Sequence, residues 1–285
     1  MSLVIVAIIF SGATMRLLNK VLSHRIPIFT SVVIFQIIGA FISSIFFLLS
    51  GSQGIAIQPQ YYLPIVVSIF LWAVAIYFGW KGIQGSPVSL RESVIQSRLI
   101  LIPILAAIFL GESVSLSAMV GTLLIVLGIV VAVYRPSLTL RHPDVVGSWY
   151  VLAGSVVISI VSLFDKYIVT GVNPALYSSL IYLGVLLMTF VFMTRERLAS
   201  ILLVMRSRVA LVVLTAGTLN VLFFLGQMWL YQKLPLHIVY PLLQFASAVA
   251  IILAVIFLKE RDRAFFKVAG FCVAGIGAFL LKVGF

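Results

Sequence analysis

Ten apolar runs of near-constant length set the limits on what this chain can become. They fall near residues 2–20, 28–50, 61–82, 87–110, 115–134, 147–169, 174–193, 209–231, 235–258 and 264–282. A helix of about 20 such residues, rising about 1.5 Å per residue, spans the roughly 30 Å hydrocarbon layer of a bilayer. Breakers separate most of the runs: Pro27, Gly51 to Pro59, Pro87, Pro136, Pro143, Pro174 and Pro235. The joints are short, so neighbouring helices must run antiparallel. With 63% hydrophobic and 9% charged residues and a mean hydropathy of +1.26, the chain cannot cover itself with a water-soluble surface. The expected fold is therefore an all-α integral membrane protein of ten transmembrane helices, in the cell inner or plasma membrane. The first run is read as a retained span rather than a cleaved signal.

The net charge of +12 does not point to nucleic acid, because the basic residues cluster in the short loops, where they meet lipid headgroups. One cysteine, Cys272, excludes an internal disulfide.

The chain also repeats itself. Ile108-Phe-Leu-Gly-Glu112 returns as Ile256-Phe-Leu-Lys-Glu260, an offset of 148 that also relates Pro87 to Pro235, Gln84 to Gln232 and Gln96 to Gln244. One inserted residue later, Gly121 and Gly128 match Gly270 and Gly277, and at an offset of 146 Asn19-Lys20 matches Asp165-Lys166. The repeat divides the chain into residues 1–140 and 141–285, with five spans each. Five is odd, so the two halves must be inverted relative to each other. Inverted repeats characterise secondary transporters, with the substrate held near the midplane between the halves.

Within this apolar background the run from Pro87 to Leu110 is unusual. Its first half carries Ser89, Arg91, Glu92, Ser93, Gln96, Ser97 and Arg98. At about 100° per residue, Arg91 and Arg98 share one face, Glu92, Gln96 and Ser89 a second, and Ser93 and Ser97 a third. Arg98 lies about halfway along the span, where contact with lipid would cost at least about 2.5–3.5 kcal/mol. It must face protein or a water-filled cavity, either lining a substrate site or paired with Glu92 through a bent helix. Arg91 and Glu92 lie within a turn of the helix start, where snorkelling, capping or an ion pair competes with a functional role. If protons drive transport, Glu92 is the candidate carrier.

By the repeat, Tyr240, Gln244 and Ala246 take the places of Glu92, Gln96 and Arg98, so this cation is present in one half only. A guanidinium flanked by the amides of Gln96 and Gln244 suits a carboxylate or phosphate, which it can hold bidentately. Trp72 and its repeat mate Asn220 lie near mid-span; Asn220 either lines the cavity or bonds a neighbouring helix. Trp72, Tyr77 and Tyr240 either stack on a substrate or pack. Trp80, Trp149 and Trp229 read as interfacial anchors, Ser155, Ser159 and Ser162 as a stripe for close helix packing, and His237 as interfacial or as a proton relay. Metal-ligand spacing, a phosphate-binding loop and a nucleophile-base set are all missing from the sequence, so no catalytic residue, metal or cofactor is expected.

The ten-span layout, the segment Gly85-Ser86-Pro87-Val88-Ser89, the helix end Phe109-Leu110-Gly111-Glu112, and Gly121 with Gly128 together resemble the EamA-type transporters of the drug/metabolite transporter superfamily. The resemblance covers essentially the whole chain. It implies a membrane permease for a small molecule, with a central cavity lined by the first, third and fourth helices of each half. It also implies peripheral fifth helices, and structural roles for Gly111-Glu112 and Lys259-Glu260. A monomer or homodimer in the lipid bilayer is expected. The resemblance implies cytoplasmic termini, yet thirteen loop Lys and Arg lie on the side reached by the end of the first helix and three on the other. The charges thus favour both termini outside.

Overall fold

The computed structural model describes residues 2–23, 25–51, 57–85, 94–112, 115–133, 143–257 and 264–283. Among them lie eleven α-helices: α1 (Ser2–Ser23), α2 (Ile28–Leu49), α3 (Tyr62–Gly85), α4 (Ser97–Leu110), α5 (Leu116–Val133), α6 (Pro143–Val169), α7 (Pro174–Phe190), α8 (Arg195–Arg206), α9 (Ala210–Lys233), α10 (Leu236–Phe257) and α11 (Ala264–Val283). Six are long and apolar enough to cross a membrane, and four shorter apolar helices accompany them. The chain is a multi-pass integral membrane protein, all-helical among the described residues.

Local chemistry explains the helix ends. Asn173 Oδ1 accepts the Ala175 N–H at 2.9 Å, with Pro174 in the first turn, and so starts α7. The Thr194 hydroxyl accepts the Arg197 N–H at 3.3 Å and starts α8, the amphipathic turn expected from RERLASILLVMRSR. Gly111, at φ +66°, ends α4 in the left-handed region, which a residue with a Cβ enters only at a cost. Pro103 in α4 and Pro241 in α10 each remove one ladder hydrogen bond.

Large apolar side chains such as Leu3, Phe41, Leu63, Phe70, Ile104 and Phe109 stay exposed around the outside, as a lipid-facing surface requires. The interior is built on α9 and α10, with Val221, Met228, Leu230, Leu236 and Val239 fully buried. Trp149 is 65% exposed, as an anchor should be, but Trp80 is not an anchor: it is buried edge-on against Phe35, their ring centroids 6.1 Å apart.

Neighbours fall into recurring pairs. Helix α3 packs on α6 and α1 on α9; α1 packs on α10 and α6 on α4; α2 meets α7, and α5 meets α11. The α5–α11 contact is closed by the repeated glycines. A Cβ on Gly128 would collide with the Gly270 carbonyl and the Ala274 backbone, and one on Gly277 with the Gly121 carbonyl. Small residues let these two backbones touch, which is how spans associate without a hydrophobic driving force. Gly128→Leu should therefore destabilise the fold by about 1–3 kcal/mol. A melting temperature in detergent equal to that of the parent would contradict this contact.

Candidate functional site

A cavity of about 240 Å³ lies among these helices, lined from α1 (Met15, Arg16, Asn19), α3 (Trp72, Gly79), Ile95 and Arg98 at the start of α4, α6 (Val151, Ile158), α9 (Asn220, Phe223, Phe224, Gln227) and α10 (Tyr240, Leu243, Gln244). These are the first, third and fourth spans of each sequence half. Helices α5 and α11 contribute nothing to the wall. Five of the residues singled out from the sequence meet here: Arg98, Trp72, Tyr240, Asn220 and Gln244.

Arg98 donates from Nε to Ser155 Oγ at 3.0 Å and from Nη1 to Tyr240 Oη at 3.4 Å. Both partners are neutral, and no acid pairs with it among the described residues. Ser155 is thus more than a packing residue, whereas Ser159 and Ser162 turn their hydroxyls back to the carbonyls of Ser155 and Ile158. Arg91 and Glu92 lie outside the described residues.

Arg16 was not singled out, although it too lies inside an apolar run. Its guanidinium donates to Gln244 Oε1 at 2.9 Å and to Ser247 Oγ. An arginine only donates, so the acceptor end of the Gln244 amide must face it. Gln244 is 2% exposed, and its Nε2, without a partner, is left as a donor in the cavity wall. Among the described lining residues there are two arginines and no carboxylate.

Two sequence expectations need correction. Tyr77 faces outward, 54% exposed, with the Lys81 ammonium 6.0 Å from its ring centroid. It follows Trp72 by five residues, about 140° round the helix, so both cannot face the same cavity. Gln96 is buried but does not line the cavity, because it sits about 200° from Arg98 on the same helix.

Asn220 combines its two readings. Its Oδ1 accepts from Tyr182 Oη at 3.0 Å, and its side chain lines the cavity. Together with Trp72 and Phe224 it also forms part of a second cavity of about 110 Å³, where buried Gln36 leaves its Oε1 without a partner. Tyr182→Phe should free Asn220 and lower stability by about 0.5–1.5 kcal/mol; an unchanged denaturation midpoint would show that this bond does not hold α7 to α9.

His237, in the first turn of α10, is 5% exposed, with Nδ1 2.9 Å from Glu112 Oε2. Glu112 also accepts the backbone N–H groups of Leu236 at 2.9 Å and His237 at 3.3 Å, so it caps α10 from the end of α4. Lys166 Nζ donates to the carbonyls of Tyr231 at 2.5 Å and Leu234 at 3.0 Å, closing the end of α9.

The pocket is thus a partly open, largely apolar cavity among six helices, with the polar groups of Arg16, Asn19, Arg98, Asn220, Gln227, Tyr240 and Gln244 set into its wall. Residues 1–134 match the model of the EamA-like transporter family. No curated protein matches the chain in sequence. A protein of known crystal structure, 16% identical, has the same fold over 99% of this chain and 96% of its own, with a TM-score of 0.74. The whole chain thus shares a fold with a solved structure, while the match to the EamA-like family model is confined to residues 1–134. In that matched part sit Arg16, Asn19, Trp72 and Arg98, both arginines of the described wall included.

Proposed function

We propose that this protein is a secondary transporter of a small anionic or zwitterionic metabolite, such as an amino acid, an organic acid or a phosphorylated compound. It would work by alternating access between two inverted five-helix halves, residues 1–140 and 141–285. One observation carries the reading: Arg98 lines the cavity, and among the described residues its partners are a serine and a tyrosine, both neutral. A partly buried guanidinium facing a cavity and bonded there to neutral groups can hold an arriving carboxylate or phosphate, which supplies the opposite charge.

The inverted arrangement is supported by the packing pairs. Exchanging the halves turns α3–α6 into α9–α1 and α1–α10 into α6–α4, and exchanges the Gly128–Gly270 and Gly277–Gly121 contacts. Arg98, with Gln244, would hold the anionic group; Tyr240, Trp72 and Asn220 would shape the remainder of the site. The loop charges support termini on the outside, and a reporter fused after Phe285 that reads cytoplasmic would reverse that orientation.

A thermal-shift screen of carboxylates, amino acids and phosphorylated compounds, followed by flux of the best stabiliser into proteoliposomes, tests the proposal. Saturable uptake is expected; binding without flux would mean a receptor or subunit, and translocation of lipid probes alone a flippase.

A further inference from the structure

We propose that Asp165 is a proton-binding site, joined to the central cavity through Trp72. The assignment of that proton as the driving ion rests on the transporter reading; the binding site itself does not. Asp165 sits on α6 with 0% exposure. Trp72 Nε1 donates to both of its carboxyl oxygens at 3.2 Å, and the Tyr177 hydroxyl donates to one of them. No cationic side chain pairs with it among the described residues.

The groups around it are accounted for on every neighbouring helix. Helix α3 supplies Trp72, and α7 supplies Tyr177. From α9, Tyr231 accepts from Gln227 Nε2 at 2.8 Å and lies 3.5 Å from Ser162 Oγ. On α4, Arg98 bonds Ser155, nearly three turns away along α6, and Glu112 holds the start of α10. Lys166, the next residue on α6, spends its ammonium on the carbonyls that end α9.

This chemistry selects the ligand. An indole N–H can only donate, and the phenol gives its proton to the carboxyl. A metal cation would meet one carboxylate and two donors instead of the several oxygens it needs. A proton needs only the carboxyl oxygen. The carboxyl is tolerable as a neutral acid in apolar surroundings, and as a carboxylate under three donor contacts.

Trp72 makes the connection. Its ring lines both cavities and meets Phe224 edge-on, with centroids 5.2 Å apart, while its N–H is committed to Asp165. Protonation takes an acceptor away from that N–H. The state of the acid and the position of the aromatic wall are therefore linked, and linkage is reciprocal.

The test is infrared difference spectroscopy of the whole reconstituted protein, titrated with pH and read at the carboxylic-acid C=O stretch. The expected result is one titrating band, lost in Asp165→Asn, moved in frequency in Asp165→Glu, and displaced in midpoint by Trp72→Phe. A band that persists in Asp165→Asn, or the lack of any Asp165-dependent titration in the parent, overturns the site. An unmoved midpoint in Trp72→Phe overturns the link to the cavity. Since no transported compound enters this experiment, its failure is distinct from failure of the transporter reading, which Arg98 variants decide.

Discussion

Arg98→Ala is expected to weaken binding of the best-stabilising anion on the order of 10- to 100-fold. The magnitude follows from the charge-assisted hydrogen bonds lost, about 1.5–3 kcal/mol, at about 1.4 kcal/mol per factor of ten. Arg98→Lys should fall between the two. An ammonium keeps the charge but not the planar fork, so it can attract a carboxylate without holding it bidentately. Without ligand the alanine variant should melt near the parent temperature, because the bonds to Ser155 and Tyr240 that it loses are offset by removal of a partly buried charge. Calorimetric binding and exchange in proteoliposomes both read this effect. Parent-like affinity in Arg98→Ala would remove the anion site from the account.

Glu112→Ala is expected to cost about 2–3 kcal/mol of stability, the largest effect outside the cavity. One carboxylate satisfies the Leu236 and His237 N–H groups and meets His237 Nδ1, so three buried polar groups lose their partner at once. Glu112→Gln should recover only part, since its amide has one accepting oxygen in place of two. The Glu112→Ala and His237→Ala changes should also be non-additive, as expected for groups that share a bond. A chemical-denaturation midpoint for Glu112→Ala equal to the parent's would refute the cap.

The all-helical, membrane-crossing character was legible from the sequence because lipid allows so few solutions: apolar runs of spanning length leave little choice. Arg98 was legible for the same reason, since a charge amid an apolar run has to be explained. Arg16 carries the same signal, a cation inside an apolar run, without a role being assigned to it from the sequence. In the sequence Asp165 stands out only as half of the repeated Asp165-Lys166 pair; the folded chain shows Trp72 and Tyr177 closing over it. Position along a helix gives depth, but the covering residues come from 93 and 12 positions away. Tyr77 and Gln96 failed on helical phase. Their residue types fitted the chemistry, yet steps of five and two residues turn a side chain away from the reference face. Glu112 was correctly expected to be structural, although its partners on α10 could not be read from spacing.

Alternating access, as proposed, requires a cavity that opens to each side of the membrane in turn. Ile158, on the cavity wall, can be replaced by cysteine in a Cys272→Ser background and challenged with a membrane-impermeant thiol reagent from either face of sealed vesicles. The account predicts labelling from both faces, slowed by the stabilising anion and not slowed when Arg98 is alanine. Labelling from neither face, or from one face only under all conditions, would contradict it.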